Sequence, residues 1–203
     1  SKTKERTLLW WRKDKNPKTL NLIKIMEPKS LKNTGLLIFS DKIGDNQTWL
    51  YLSAAAKKEP RKIADNSKDS RFLGSEFYYV DFEENGVDEF QHKLLGEVKI
   101  KNWKCWKVES IPLKKNYTYS KIISFVDQKS FVVVQSELFR KDKLEKVFQV
   151  EALKEIQGIQ TIAQSLMDNK QKNRQTRLKL DLIKYNQNLK DEFFSQAQLT
   201  RDL

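Results

Sequence analysis

Apolar positions along this chain come in short, often alternating runs, separated by polar turns at intervals of about 10 to 15 residues, which is the strand pattern rather than the helical one. Eleven runs qualify: Thr7 to Arg12, Leu20 to Met26, Gly35 to Phe39, Thr48 to Leu52, Glu89 to Ile100, Trp103 to Ile111, Thr118 to Val126, Phe131 to Phe139, Leu144 to Leu153, Ile159 to Leu166 and Thr176 to Ile183. Their connectors carry turn chemistry, as in Gly44-Asp45-Asn46 and Asp168-Asn169-Lys170. Short connectors and little helix between the runs predict antiparallel pairing. Several runs have one wet face. In Thr176 to Ile183, Leu178, Leu180 and Leu182 oppose Arg177, Lys179 and Asp181, and in Trp103 to Ser110, Trp106 and Val108 oppose Cys105, Lys107 and Glu109. Such a sheet must cover its apolar face by curling toward a barrel or by laying helices on it. Helical material is scarce: Ser75 to Phe82 with Ser75 as N-cap, Asp191 to Leu199, and a short turn or ordered loop over Ser53 to Pro60.

Composition narrows the class. A chain of 203 residues with no repeat or linker reads as one domain, 1–203, and 6 Gly and 4 Pro leave no room for collagenous or low-complexity sequence. No apolar run approaches the roughly 20 residues that span a bilayer. One Cys and one His, Cys105 and His92, exclude an internal disulfide and a four-ligand zinc site. His92 sits in a polar strand-like run, and neither a nucleophile elbow nor a phosphate-cradling glycine loop is present, so no catalytic residue, metal or cofactor is expected. The net charge of +12 suggests nucleic acid, but only 8 of the 39 cations are Arg, and Lys is spread over the polar faces of nearly every strand. A solvated basic surface, suited to an anionic membrane or an acidic partner, accounts for it better.

Two aromatic features remain. Phe72-Leu-Gly-Ser-Glu-Phe-Tyr-Tyr-Val-Asp-Phe82 is too apolar for one face of a short surface helix, so part of it buries or faces a ligand. Glu76 and Asp81 are five apart and do not share a helical face, and helix-start electrostatics accounts for Glu76. In a strand Trp10 and Trp11 point to opposite faces, and Trp49, Trp103 and Trp106 serve a core or a ring-lined cavity.

These motifs occur in an order that resembles a known family. Thr-Leu-Leu-Trp-Trp-Arg-Lys (7 to 13), Ile-Met-Glu-Pro (25 to 28), Thr-Trp-Leu-Tyr-Leu (48 to 52), Pro-Arg-Lys-Ile (60 to 63) and the 72 to 82 segment are similar to the outer-membrane lipoprotein-sorting family, the LolA-like periplasmic proteins. The similarity continues through Tyr119-Ser120-Lys121, Phe125-Val126-Asp127, Lys143 to Lys146 and Asp191 to Arg201. Glu76 stands where the family usually has Asp, and Ser53 where a Pro commonly follows the strand. The family's signal peptide, first helix and opening strand are not in this sequence, which by that resemblance starts inside the family unit.

The resemblance implies a mainly β fold: a curved, half-open antiparallel β-barrel of about eleven strands with a few short covering helices. It implies a non-enzymatic periplasmic carrier or chaperone, monomeric, that holds the acyl chains of a lipoprotein or another lipid in an apolar cavity between sheet and helical lid. Transfer would run toward the outer membrane or beside an inner-membrane lipid exporter, with an outer-membrane acceptor. Parity puts Trp106, Val108, Leu178, Leu180 and Leu182 on the cavity wall; the resemblance puts Phe72, Phe77, Tyr78 and Phe82 at its lid or rim. The alternative is a β-rich protein-interaction module whose cavity is filled by its own side chains.

Overall fold

The computed structural model describes residues 3–203. Among the described residues there are twelve strands: β1 (Thr7–Lys15), β2 (Lys18–Glu27), β3 (Gly35–Asp41), β4 (Gln47–Tyr51), β5 (Arg61–Lys62), β6 (Phe90–Ile100), β7 (Trp103–Pro112), β8 (Lys121–Asp127), β9 (Val133–Arg140), β10 (Lys143–Ile156), β11 (Ile159–Asn169) and β12 (Arg174–Lys179). Each pair of consecutive strands except β5 and β6 is antiparallel and hydrogen-bonded. All eleven expected runs form strands; β5, two residues long and without an apolar side chain, is the addition. The expected single curved barrel is corrected: the strands form two sheets, β1 to β5 and β6 to β12, and no closed barrel. The break falls at residues 63–89, where the chain makes 3-10 turns instead of a hairpin.

The chain divides into two compact units. The first takes in the chain through Lys68, Tyr79–Val87 and Asn188–Leu203. Register places Trp11, Leu22, Leu37 and Trp49 in one row across β1 to β4, and Trp10, Ile23, Leu36 and Leu50 in the next, on the opposite face. Both faces are covered. Trp11 packs edge-on against Phe193, 5.3 Å between ring centroids, in a core that includes Leu22, Leu37, Tyr51, Phe194 and Leu199. Trp10 donates its indole N–H to Asn21 Oδ1 at 2.9 Å and meets Phe82 edge-on at 6.0 Å. The two adjacent tryptophans therefore do what strand parity requires, one on each side. The expected helix at 191–199 is shorter: a 3-10 turn, Asp191–Phe193, then α1 (Gln196–Thr200), capped by Ser195 Oγ accepting from the Gln198 N–H at 3.2 Å. Asp191 serves an ion pair instead of a helix start. Hydrogen bonds from Lys13 and Lys15 hold its carboxyl down to about 2.

The second unit comprises Asp69–Tyr78 and Asp88–Gln187, with the seven-stranded sheet. Its core cluster centres on Cys105, Ile123, Phe125, Val134 and Val150. The free thiol of Cys105 is fully buried, and burial raises its pKa, so it is a packing residue. At the β10 to β12 side Arg177 reaches Glu151 with both arms of its guanidinium, Nε to Oε2 at 2.6 Å and Nη2 to Oε1 at 2.9 Å, while Gln164 donates to the same carboxylate at 2.6 Å. Hydrogen bonds from Arg177, then from Gln164, bring the Glu151 carboxyl down to about 2. A depressed carboxyl pKa stabilises the fold above the unfolded-state value, and that contribution disappears as pH falls toward about 2. In Arg177→Ala, Glu151 is expected to titrate back toward the usual carboxylate range, with less of the acid loss of stability falling below it; side-chain carboxyl NMR reads this directly. A carboxyl still titrating near 2 in that variant would mean Arg177 is not the cause.

Candidate functional site

One face of the seven-stranded sheet gathers the residues of interest. Directly opposite residues in antiparallel strands share a face. One row therefore runs Leu94, Val108, Ser124, Ser136, Phe148, Met167, Thr176 from β6 to β12. The next row runs His92, Ser110, Ile122, Leu138, Lys146, Asn169, Arg174. On the other side of the first row lie Trp106 with Val126, and Val150, Ser165 and Leu178. Trp106, Val108 and Leu178, expected on one wall, thus do share a face. Leu180 lies just past β12 and keeps its register, its N–H donating to the Ala163 carbonyl at 2.9 Å. Leu182 does not belong: it is 80% exposed, beyond the end of the last strand, because β12 stops at Lys179.

The β10 to β12 end of that face is occupied by residues 69–78 of the same unit. The expected helix from Ser75 to Phe82 is not there. A 3-10 turn over Phe72–Gly74 with Leu73 at φ 49° and Gly74 at φ 76° is followed by a bend at Ser75 and Glu76, closed by the Phe72 N–H donating to the Phe77 carbonyl at 2.9 Å and by the bridge between Arg71 and Tyr78, and then by a second 3-10 turn, Tyr79–Phe82. Ser75 is not an N-cap; its hydroxyl donates to the Phe77 carbonyl at 3.3 Å. This loop is fixed by polar contacts to the sheet. The Glu76 N–H donates to Thr176 Oγ1 at 2.8 Å, and its carbonyl accepts from Lys146 Nζ at 3.1 Å. Its carboxylate, 1% exposed, accepts from Asn169 Nδ2 at 2.8 Å and from Arg71 at 3.1 Å, and forms an ion pair with Arg174 at 3.1 Å. Lys146, fully buried, lies 3.3 Å from the Tyr78 ring centroid, a desolvated cation–π contact. The Tyr78 hydroxyl donates to Glu145 Oε1 at 2.8 Å; burial and then that carboxylate raise its pKa, so it stays a donor. Arg140 adds ion pairs to Asp69 and, at 4.0 Å, to Glu145.

Of the expected lid or rim residues, Phe72, Phe77 and Tyr78 are buried core of the second unit, and Phe82 belongs to the first unit against Trp10. Glu76 is corrected from a helix-start residue to the centre of a buried ionic network. The expectation that lysines are solvated also fails at three positions, Lys24, Lys68 and Lys146. Lys24 donates to the Arg201 carbonyl in the first unit, and burial lowers its pKa. The alternation Leu144, Lys146, Phe148, Val150 put Lys146 on an apolar face, which is the signal that could have exposed it. His92 is exposed on β6, its Nδ1 2.8 Å from Ser110 Oγ.

Solved structures share this fold. A protein domain from Vibrio parahaemolyticus named for outer membrane lipoprotein sorting matches with a TM-score of 0.91 at 24% identity, over 97% of this chain and 84% of that one. A DUF1329 family protein from Desulfovibrio piger matches with a TM-score of 0.86 at 24% identity, over 96% and 82%. A LolA superfamily protein from Nitrosomonas europaea matches with a TM-score of 0.63 at 18% identity, over 88% and 77%. The fold is therefore mainly β and LolA-like. No curated protein matches the sequence. The model of a family described as "-like: Uncharacterized protein" matches residues 17–201, so the chain belongs to that family.

Proposed function

We propose that the protein is a non-enzymatic periplasmic carrier that shields the acyl chains of a lipoprotein or another lipid against the apolar face of its second unit. The observation that supports this reading is the registration of Trp106, Val108 and Leu178 with Phe148 and Met167 on one face of a LolA-like sheet. Trp106, Val108 and Leu178 are half-buried, which leaves surface for a ligand. At about 0.8 kcal/mol per buried methylene, a long acyl chain crosses water only with such shielding. The rings and methyls of this face, interspersed with the hydroxyls of Ser124 and Ser136, bind it without directional hydrogen bonds, which suits a carrier that must release its cargo. Leu180 continues the wall, and Phe72, Phe77 and Tyr78 form a fixed shoulder beside it rather than a moving lid. An inner-membrane donor and an outer-membrane acceptor are the partners this role requires.

The second reading, an interaction module that fills its own apolar face, is favoured by one observation: Tyr78 and its segment already occupy the β10 to β12 end. The two separate in one experiment. Protein purified from a membrane-containing host is expected to carry lipid detectable by native mass spectrometry, and to take up 11-dansylaminoundecanoic acid after delipidation. Val108→Asp places a charge on the face and is expected to weaken that uptake at least about tenfold. Clean protein that also ignores the dansyl probe would sink the carrier reading and leave the interaction module.

A further inference from the structure

The β6–β7 hairpin end of the second unit presents an aromatic ring in a way that packing alone does not require. Phe131 is 70% exposed, and its backbone sits at φ 59°, a left-handed conformation that bulky side chains rarely adopt. The turn before it is built tightly: Asp127 Oδ2 accepts from both the N–H and the hydroxyl of Ser130, at 2.9 and 2.6 Å, and the Phe131 N–H donates to the Asp127 carbonyl at 2.9 Å. The ring rests on Trp106, 5.7 Å between centroids, and projects beyond it.

Three lysines belong to the strands and the turn beside this ring. Lys99 and Lys104 are directly opposite each other across β6 and β7, and both are exposed. Like charges in that position repel. The Lys104 carbonyl accepts from the Gln128 N–H at 2.8 Å, which brings the turn carrying Lys129 alongside; Lys129 is also exposed. Among the described residues none of the three has a carboxylate within ion-pair distance. Glu97, opposite Trp106, lies on the face of Lys99 and Lys104, and Asp127 is engaged by Ser130 and feels the charge of Lys129. The corner holds an exposed apolar ring with three exposed lysines against two carboxylates, those of Glu97 and the buried Asp127.

We infer that this corner, Phe131 with Lys99, Lys104 and Lys129, docks the protein on an anionic lipid bilayer. The lysines meet phospholipid phosphates, and the ring enters the boundary between headgroups and acyl chains. An acidic polymer such as duplex DNA would satisfy the lysines but would not need a ring held out by a left-handed backbone. The docking surface goes beyond the carrier role and stands or falls without it.

Co-sedimentation with vesicles of phosphatidylglycerol and phosphatidylcholine tests it, with phosphatidylcholine alone as the control. The parent protein is expected to sediment with the anionic vesicles and to be released by added salt. Lys99→Gln, Lys104→Gln and Lys129→Gln together are expected to weaken binding about 100-fold at low ionic strength. Phe131→Asn, a residue that tolerates the left-handed conformation, is expected to melt no lower than the parent yet bind about tenfold more weakly. Sedimentation unchanged by either variant, absence of parent binding to anionic vesicles, or binding to duplex DNA in place of vesicles would each overturn the inference. Uptake of the dansyl fatty acid, measured on the same samples, reports separately on the carrier reading.

Discussion

Glu76→Ala is expected to destabilise the second unit by about 3 kcal/mol, read as a fall in urea midpoint at unchanged slope. The carboxylate is almost fully buried, accepts from Asn169 and Arg71 and is paired with Arg174. Removing one member of a buried ion pair costs about 3 to 5 kcal/mol, because what remains is an uncompensated charge out of water. Here both arginines keep part of their surface exposed, 31% for the Arg71 side chain and 49% for that of Arg174, so water compensates them and the value falls at the low end. Asn169 has no such recourse. It is fully buried, and its Nδ2 loses an acceptor, a loss of about 1 to 3 kcal/mol by itself. Glu76→Gln keeps the volume and one acceptor, so it is expected to lie between parent and Glu76→Ala. Hydrogen exchange adds a spatial readout: β10 to β12 amides should lose protection together in the alanine variant. A midpoint equal to the parent's would show that the network supplies orientation and no net stability.

That network explains which parts of the molecule could be read from sequence. Strands announce themselves by local alternation, and every run with that period became one. Parity also assigned Trp10 and Trp11 to opposite faces, and Trp106 and Val108 to the same one. What parity could not supply is register between distant strands: that Leu178 of β12 belongs to the same face as Val108 of β7 follows only from five intervening pairings. The segment at 72–82 misled for a related reason. Its apolar residues suit a buried helix by composition, yet its backbone bends at Glu76, where the N–H donates to Thr176, a partner 100 positions along the chain. Tertiary hydrogen bonds of that kind leave no local signature. β5 was invisible for the opposite reason, being held in place by pairing alone, without an apolar side chain of its own.

In the first unit, Phe194→Ala is expected to cost about 3 to 5 kcal/mol, the usual range for emptying an aromatic site in a core. Phe194 is 3% exposed and packs with Leu22, Leu37, Tyr51 and Leu199, edge-on to Phe193 at 5.5 Å. The five residues of α1 are too few to be helical alone in water, so α1 depends on this burial. Gly35 shows how closely the segment fits: a Cβ there would lie 2.3 Å from the Ile23 carbonyl oxygen and 3.1 Å from Leu199 Cδ1. Since the sheet approaches Leu199 this closely, little can collapse into the space left by the lost ring, and the loss should fall toward the upper part of the range. The polar ties that remain are Lys13 Nζ to the Leu189 carbonyl at 2.7 Å, the half-exposed Asp191 pairs, Lys24 to the Arg201 carbonyl and the Asn33 contacts with Asp202 and Leu203; apart from that of Lys24 they are surface interactions, which water screens. They cannot hold residues 188–203 in place once the ring is gone. Limited proteolysis is therefore expected to cut Phe194→Ala within this segment at native temperatures while sparing the parent, and amides of β2 and β3 beneath it should exchange faster. Equal resistance in both proteins would place the stability of this segment in its ion pairs and not in the aromatic core.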